Sequence, residues 1–168
     1  MDAAERQKTF DQWLREHKAL TFKVICAYAR NPQDKEDLFQ EIALQLWKSI
    51  PNFRGDSAVT TWIYRVSLNT ALAWCGKEKR RNDKNRTFAQ NEEFLVQNPN
   101  ASNPRLTWLY DQIAALSEVD RSLALLLLDG YSYKEMAGII GISETNVGVR
   151  INRIKKRLIK ESETETAQ

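Results

Sequence analysis

Four side chains on one stretch are spaced for reading the edges of DNA bases. Thr145, Val149, Asn152 and Lys156 recur at intervals of four, three and four residues. On an α-helix, at roughly 100° per residue, they share one face. Gly148 and Arg153 flank it. An amide and a guanidinium bond to base edges in the major groove, a valine meets a thymine methyl, and lysines lie against phosphates. The opposite face carries Val147, Ile151, Ile154 and Leu158, a single apolar seam. Lys/Arg-rich helical faces are most often merely solvated, so what precedes this one decides between the two readings.

What precedes it is the start of a second helix. Ser132 and Glu135 have capping-box spacing, and Tyr131 and Met136 are placed to staple the same helix start. Met136, Ala137 and Ile140 form a short apolar face, Gly141 ends the helix, and Ser143 caps the next. Two helices joined by a Gly-containing turn make a helix-turn-helix. Ala137 is small enough for a close crossing, and Ile142 is placed to fill the corner.

Composition removes other classes of function. The 168 residues are 42% hydrophobic with a net charge of +3, so attraction to nucleic acid must come from local asymmetry. Residues 143–160 hold six Lys/Arg against one Glu and residues 77–86 hold six against two, whereas residues 34–41 hold four acids against one Lys. The lone His17 has no nucleophile or carboxylate at readable spacing. Cys26 and Cys75 have neither a CxxC nor a His companion and read as small hydrophobes. No catalytic constellation, metal site or cofactor is expected. The longest strongly apolar run, Leu123 to Leu128, is far too short to span a membrane, and no signal peptide is apparent, so a cytoplasmic location is expected.

The rest of the chain reads as helix throughout. A stripe of Phe10, Trp13, Leu14, His17, Leu20, Val24, Ile25 and Tyr28 predicts one helix from about Ala3 to Arg30, stopped by Asn31-Pro32. From Asp34 to Ser49, Leu38, Ile42 and Leu46 with Phe39, Ala43 and Trp47 face a core. Asp34, Asp37 and Glu41 stay outside with Gln40. These acids favour a helix start, and they also suit a basic protein partner. Pro51, Asn52 and Gly55 predict a loop, followed by a helix to about Arg81 with Val59, Ile63, Val66 and Thr70 inward. Trp62, Arg65 and Asn69 lie on the neighbouring stripe, with Lys77, Lys79, Arg80 and Arg81 at its basic end. Aromatics beside cations suit single-stranded nucleic acid, although helical tryptophans are as often core. Asn82 to Asn103 reads as a linker. A helix from Pro104 with Leu106, Leu109 and Ile113 inward follows, then a Leu-rich one ending at Asp129-Gly130.

The succession DLFQEIALQLW, FRGDSAVTTWIYRVSLNTA, a basic run, a linker and a helix-turn-helix resembles the extracytoplasmic-function group of bacterial RNA polymerase sigma factors. The resemblance covers residues 20–81 and 105–160. It implies an all-α fold of two small domains, a region 2 type over 1–85 and a region 4 type over 104–168, joined by a flexible linker over 86–103. It implies core RNA polymerase and promoter DNA as partners, leaves room for an anti-sigma factor, and implies no small-molecule substrate or membrane insertion. Asp37, Gln40 and Glu41 match the polymerase-docking helix. Within the loop Asn52 to Ala58, Asn52, Phe53, Arg54 and Ser57 match the segment that captures a flipped base of the −10 element. Trp62, Tyr64, Arg65 and Asn69, with Lys77, Lys79, Arg80 and Arg81, match the part that holds the opened strand. Thr145, Asn146, Val149, Arg150, Asn152, Arg153, Lys155 and Lys156 match the −35 reader. Many relatives carry Lys or Arg and then Ser where this chain has Gly148 and Val149, so their −35 sequences do not transfer.

The alternative from another class is a stand-alone helix-turn-helix regulator. It accounts for 131–158 but not for the acidic and aromatic-basic helices. A nucleic-acid enzyme would need a metal or nucleophile constellation that this sequence does not offer.

Overall fold

A computed structural model of the chain describes residues 1–84 and 103–167, in two compact units, Met1–Gln97 and Asn98–Gln168. The described residues form helices and turns with no strand. Of the predicted linker Asn82 to Asn103, residues 82–84 are still helical and Asn103 is described, while the rest lies outside the described residues.

In the first unit, Asp2 starts α1 (Ala3–Glu16) by accepting from the Glu5 amide at 2.7 Å. The expected single helix to Arg30 is broken at His17 (φ −111°, ψ 21°), and α2 runs Lys18–Tyr28. The break has a packing reason: α1 lies on α3 (Pro32–Ser49) and the 3-10 turn Ile50–Asn52, while α2 lies mainly on α4 (Val59–Lys84). One straight rod could not serve both. Asn31 caps α3, its side chain accepting from the Asp34 amide at 2.8 Å, with Pro32 in the first turn. At the other end of α3, Arg6 donates twice to the Trp47 carbonyl, at 3.1 and 2.6 Å, and lies over the Trp47 ring. It thereby satisfies a last-turn carbonyl that the helix itself leaves free.

Leu38, Ile42 and Leu46 are sealed as predicted, and Ile63, Leu68 and Ala71 of α4, which packs on α3, are sealed too. Replacing any of these leucines with Ala should cost about 2–5 kcal/mol. The inner face of α4 is rotated from the expected one. Of the residues expected inward Ile63 and Thr70 are buried, with Tyr64, Ser67, Leu68 and Ala71 beside them, while Val59 and Val66 are only half-buried. Because α4 packs on both α2 and α3, it buries a stripe wider than one neighbour would need.

In the second unit, the Asn103 side chain accepts from the amides that open α5 (Pro104–Ala114). Of the residues expected inward there, Ile113 is buried, Leu109 is half-buried and Leu106 is exposed. The Leu-rich α6 (Glu118–Leu128) buries Ser122 through Leu126 without a gap, because α5, α7 (Tyr133–Ile140) and α8 (Glu144–Thr166) all pack on it. On α7 the sealed residues are Met136 and Ile139, with the expected Ile140 only half-buried.

Candidate nucleic-acid interface

The helix-turn-helix is built by its caps. Ser132 Oγ accepts from the Glu135 amide at 3.2 Å, and Glu135 returns the bond to the Ser132 amide at 2.8 Å. These bonds favour the carboxylate and hold the Glu135 pKa below its ordinary value. Gly141 sits at φ 81° and ends α7; this left-handed turn would cost another residue about 1–2 kcal/mol. Ser143 then accepts from the Asn146 amide at 3.1 Å to start α8. With Val147, Ile151 and Ile154 buried, Thr145, Val149, Asn152, Arg153, Lys155 and Lys156 are left in solvent on α8.

Arg150 behaves differently from its neighbours. It is half-buried, its Nη1 is 2.8 Å from Asp120 Oδ1 on α6, and its Nε donates to Asn146 Oδ1 at 3.2 Å. Two of the predicted reader residues, Asn146 and Arg150, are therefore tied to each other and to the domain's core helix.

In the first unit, Trp62 organises the site. Its indole Nε1 donates to Ser49 Oγ at 3.1 Å, and its ring lies 5.5 Å from that of Phe53, which in turn meets Trp13 edge-on at 5.4 Å. This aromatic row carries the loop from Asn52 on the half-buried Phe53. A cavity of about 340 Å³ opens there, lined by Asn52, Phe53, Arg54, Asp56, Ser57 and Trp62. Hydrogen-bonding side chains, Asn52, Arg54, Asp56 and Ser57, stand around its rim.

On the other side of Trp62 a groove of about 590 Å³ runs between α3 and α4. Glu41, Gln45 and Ser49 form one wall; Arg65, Asn69, Trp74 and Lys77 contribute to the other. Arg65, Asn69, Lys77, Lys79, Arg80 and Arg81 are exposed. Arg81 is ion-paired with Glu78 at 3.4 Å, and Arg80 donates to the Gly76 carbonyl at 3.2 Å.

Tyr64 is where the structure departs from expectation. It is only 1% exposed, part of the core of α4, and its side chain is not presented to a nucleic-acid strand. Tyr64, Leu68 and Ala71 sit at spacings of four and three, as good an apolar stripe as the one first read. Asp56, within the expected loop Asn52 to Ala58, lines the cavity, and Trp74 and Gln45 line the groove, Gln45 without having been singled out from the sequence. Gln45 continues the spacing of Asp37 and Glu41, which was the available signal. On α3, Gln40 is exposed, while Asp37 and Glu41, the latter at the edge of the groove, are half-exposed and each accepts a bond from a neighbouring glutamine, Gln33 at 3.1 Å and Gln45 at 3.2 Å.

Residues 13–81 match the family model for sigma-70 region 2, and residues 106–158 match that for sigma-70 region 4. The chain is 25% identical over 166 residues to the RNA polymerase sigma-H factor of Pseudomonas aeruginosa, with 92% of this chain and 86% of that protein covered. It is 27% identical over 164 residues to the ECF RNA polymerase sigma-E factor of Escherichia coli K12, with 90% and 85% covered. Among solved structures it resembles the sigma factor RpoE of Bartonella quintana, crystallised with the anti-sigma factor NepR. The TM-score is 0.74 at 21% identity, with 91% of this chain and 96% of that chain covered. That last likeness is one of fold.

Proposed function

The chain belongs to the sigma-70 family, in its extracytoplasmic-function group, and from that premise we propose how its parts divide the work of starting transcription. It binds core RNA polymerase, recognises the −10 and −35 elements of promoters, and directs the opening of the duplex. It acts as a specificity subunit in the bacterial cytoplasm, with the chemical step left to the polymerase. A stand-alone regulator would use α7 and α8 and leave the first unit without a role.

The observation that carries the assignment is that Trp62 is a wall of both the loop cavity and the α3–α4 groove. A base turned out of the duplex enters the cavity, between the polar rim and the Trp62–Phe53 pair. The strand that carries it passes along α4, with Arg65, Asn69 and Lys77 on its backbone and base edges. Unpairing costs a few kcal/mol, which stacking and pocket contacts offset only in the melted state. Binding therefore shifts the promoter toward opening instead of pulling it apart mechanically. Asp37, Gln40 and Glu41 are the docking set for a basic surface of core polymerase. Thr145, Val149, Asn152 and Arg153 read the −35 element while Lys155 and Lys156 hold phosphates.

A fluorescent base analogue placed at each −10 position in turn tests this. Holoenzyme should unstack one position strongly, and Phe53→Ala or Ser57→Trp should suppress that signal. A uniform rise at every position, unaffected by either change, would count against a base-capturing loop.

A further inference from the structure

We propose that Tyr133, on the first helix of the helix-turn-helix, is a specificity residue: with Gly148 and Val149 it forms an apolar shelf for the 5-methyl group of a thymine in the −35 element. The inference rests on α8 being the −35 reader and adds a residue from outside it. Thr145, Gly148, Val149 and Asn152 lie at spacings of three, one and three, the outward stripe of α8. At its centre Gly148 has no side chain, and the space above it is filled from α7. A Cβ on Gly148 would stand 3.7 and 3.8 Å from Cε2 and Cδ2 of the Tyr133 ring. A side chain at position 148 would therefore meet the ring at ordinary van der Waals distance, which places the ring beside the reading face. The capping box at Ser132 and Glu135 fixes the helix start from which Tyr133 projects.

The exposed parts of this cluster are apolar. Val149 is 54% exposed and Tyr133 36%, both large hydrophobic surfaces left in water beside Thr145 and Asn152. Isolated exposed apolar residues need no explanation, but here one flanks Gly148 in sequence and the other lies beside Gly148 in space, which makes a patch with a matching ligand. In the major groove the one apolar group on a base edge is the thymine methyl. A lysine or arginine at position 148 would project a cation through this patch. Glycine leaves the ring and the valine free to close on a methyl group, and the amide of Asn152 then addresses a neighbouring base edge.

Deoxyuridine, which lacks only that methyl, is the probe. The preferred −35 sequence is first selected from a randomised library with holoenzyme, and each thymine is then replaced singly. One or two adjacent positions should lose about fourfold in affinity, the worth of one buried methyl-sized group. The loss should shrink below twofold in Tyr133→Ser and in Val149→Ala, and persist in Tyr133→Phe, which keeps the ring. Val149 is exposed, so its variant keeps the test valid even if Tyr133→Ser folds poorly. Equal affinity for thymine and deoxyuridine everywhere, or a selected sequence without thymine, would overturn the shelf while leaving α8 as reader. Full deoxyuridine sensitivity in folded Tyr133→Ser would remove Tyr133 from it. Absence of any −35 preference would overturn the reader assignment and the shelf together.

Discussion

Arg150 on the reading helix is ion-paired to Asp120 on α6 at 2.8 Å, across thirty residues of sequence. About a quarter of each side chain remains exposed, which limits the pair to about 1 kcal/mol. The contact ties α8 to α6 and engages a cation that the sequence offers to DNA. Arg150→Ala should lower the melting temperature of the second unit and reduce the salt dependence of −35 binding by well under one phosphate equivalent. Lys155→Ala should do the reverse, leaving melting unchanged and lowering the slope by about one. Salt titrations of both variants check this; an equal slope change in both would mean that Arg150 leaves Asp120 on binding DNA.

Base preference should follow Asn152 and Arg153. Each bond to a base edge is worth about 1–3 kcal/mol of discrimination. Asn152→Ala and Arg153→Ala are therefore expected to change which −35 sequences are selected from a library, whereas Lys155→Ala weakens all alike. If only the Lys155 variant changed preference, α8 would sit on DNA in a different register from the one proposed.

Docking should be electrostatic. Asp37 and Glu41 are half-exposed on α3, bonded only to glutamines on their own helix in the contacts described above. Replacing both with Lys should weaken core polymerase binding by tenfold or more, with the steepest effect at low salt and little change in helicity. Fluorescence anisotropy with labelled protein measures it, and unchanged affinity in a folded double variant would remove these residues from the interface.

Opening should be separable from holding the strand. Asn69→Ala, or Trp62→Phe, which loses the bond to Ser49, should impair open complexes more on duplex promoter than on a template already mismatched at the −10 element. The mismatch removes an unpairing cost of a few kcal/mol. Permanganate reactivity of thymines reports the difference. Equal defects on both templates would assign these residues to packing or to later steps.

The capping box should respond to acid. Glu135 has a folded pKa below its ordinary value, so its contribution is complete above that ordinary value and is lost as pH falls through the lowered one. Glu135→Gln should melt below the wild type at neutral pH, and the gap should close on acidification. A gap independent of pH would mean that the carboxylate charge plays no part in the cap.

Local chemistry was the most legible part of the sequence. Ser132, Glu135, Gly141 and Ser143 act within four residues of their partners, and all four do what their spacing predicts. Of the seam, Val147, Ile151 and Ile154 are buried as read and Leu158 is half-buried. What a single stretch could not reveal depends on a second helix. Tyr64 is core because α2 closes over a side of α4 that periodicity alone leaves ambiguous. The break at His17 comes from two packing partners pulling on one apolar stripe. Arg150, Gln45 and Tyr133 acquire their surroundings from α6, α4 and α8 respectively, and no spacing rule reaches across those distances.

Promoter-dependent transcription by core polymerase tests the central claim most directly. Purified chain is added to core enzyme lacking any other sigma factor, on a pool of bacterial promoter fragments, and run-off products are sequenced. The account predicts tight binding to core and initiation from a subset sharing −10 and −35 motifs at fixed spacing, with each start lost in Asp37→Lys/Glu41→Lys. Sequence-specific DNA binding by the chain alone, with neither core binding nor transcripts, would contradict it.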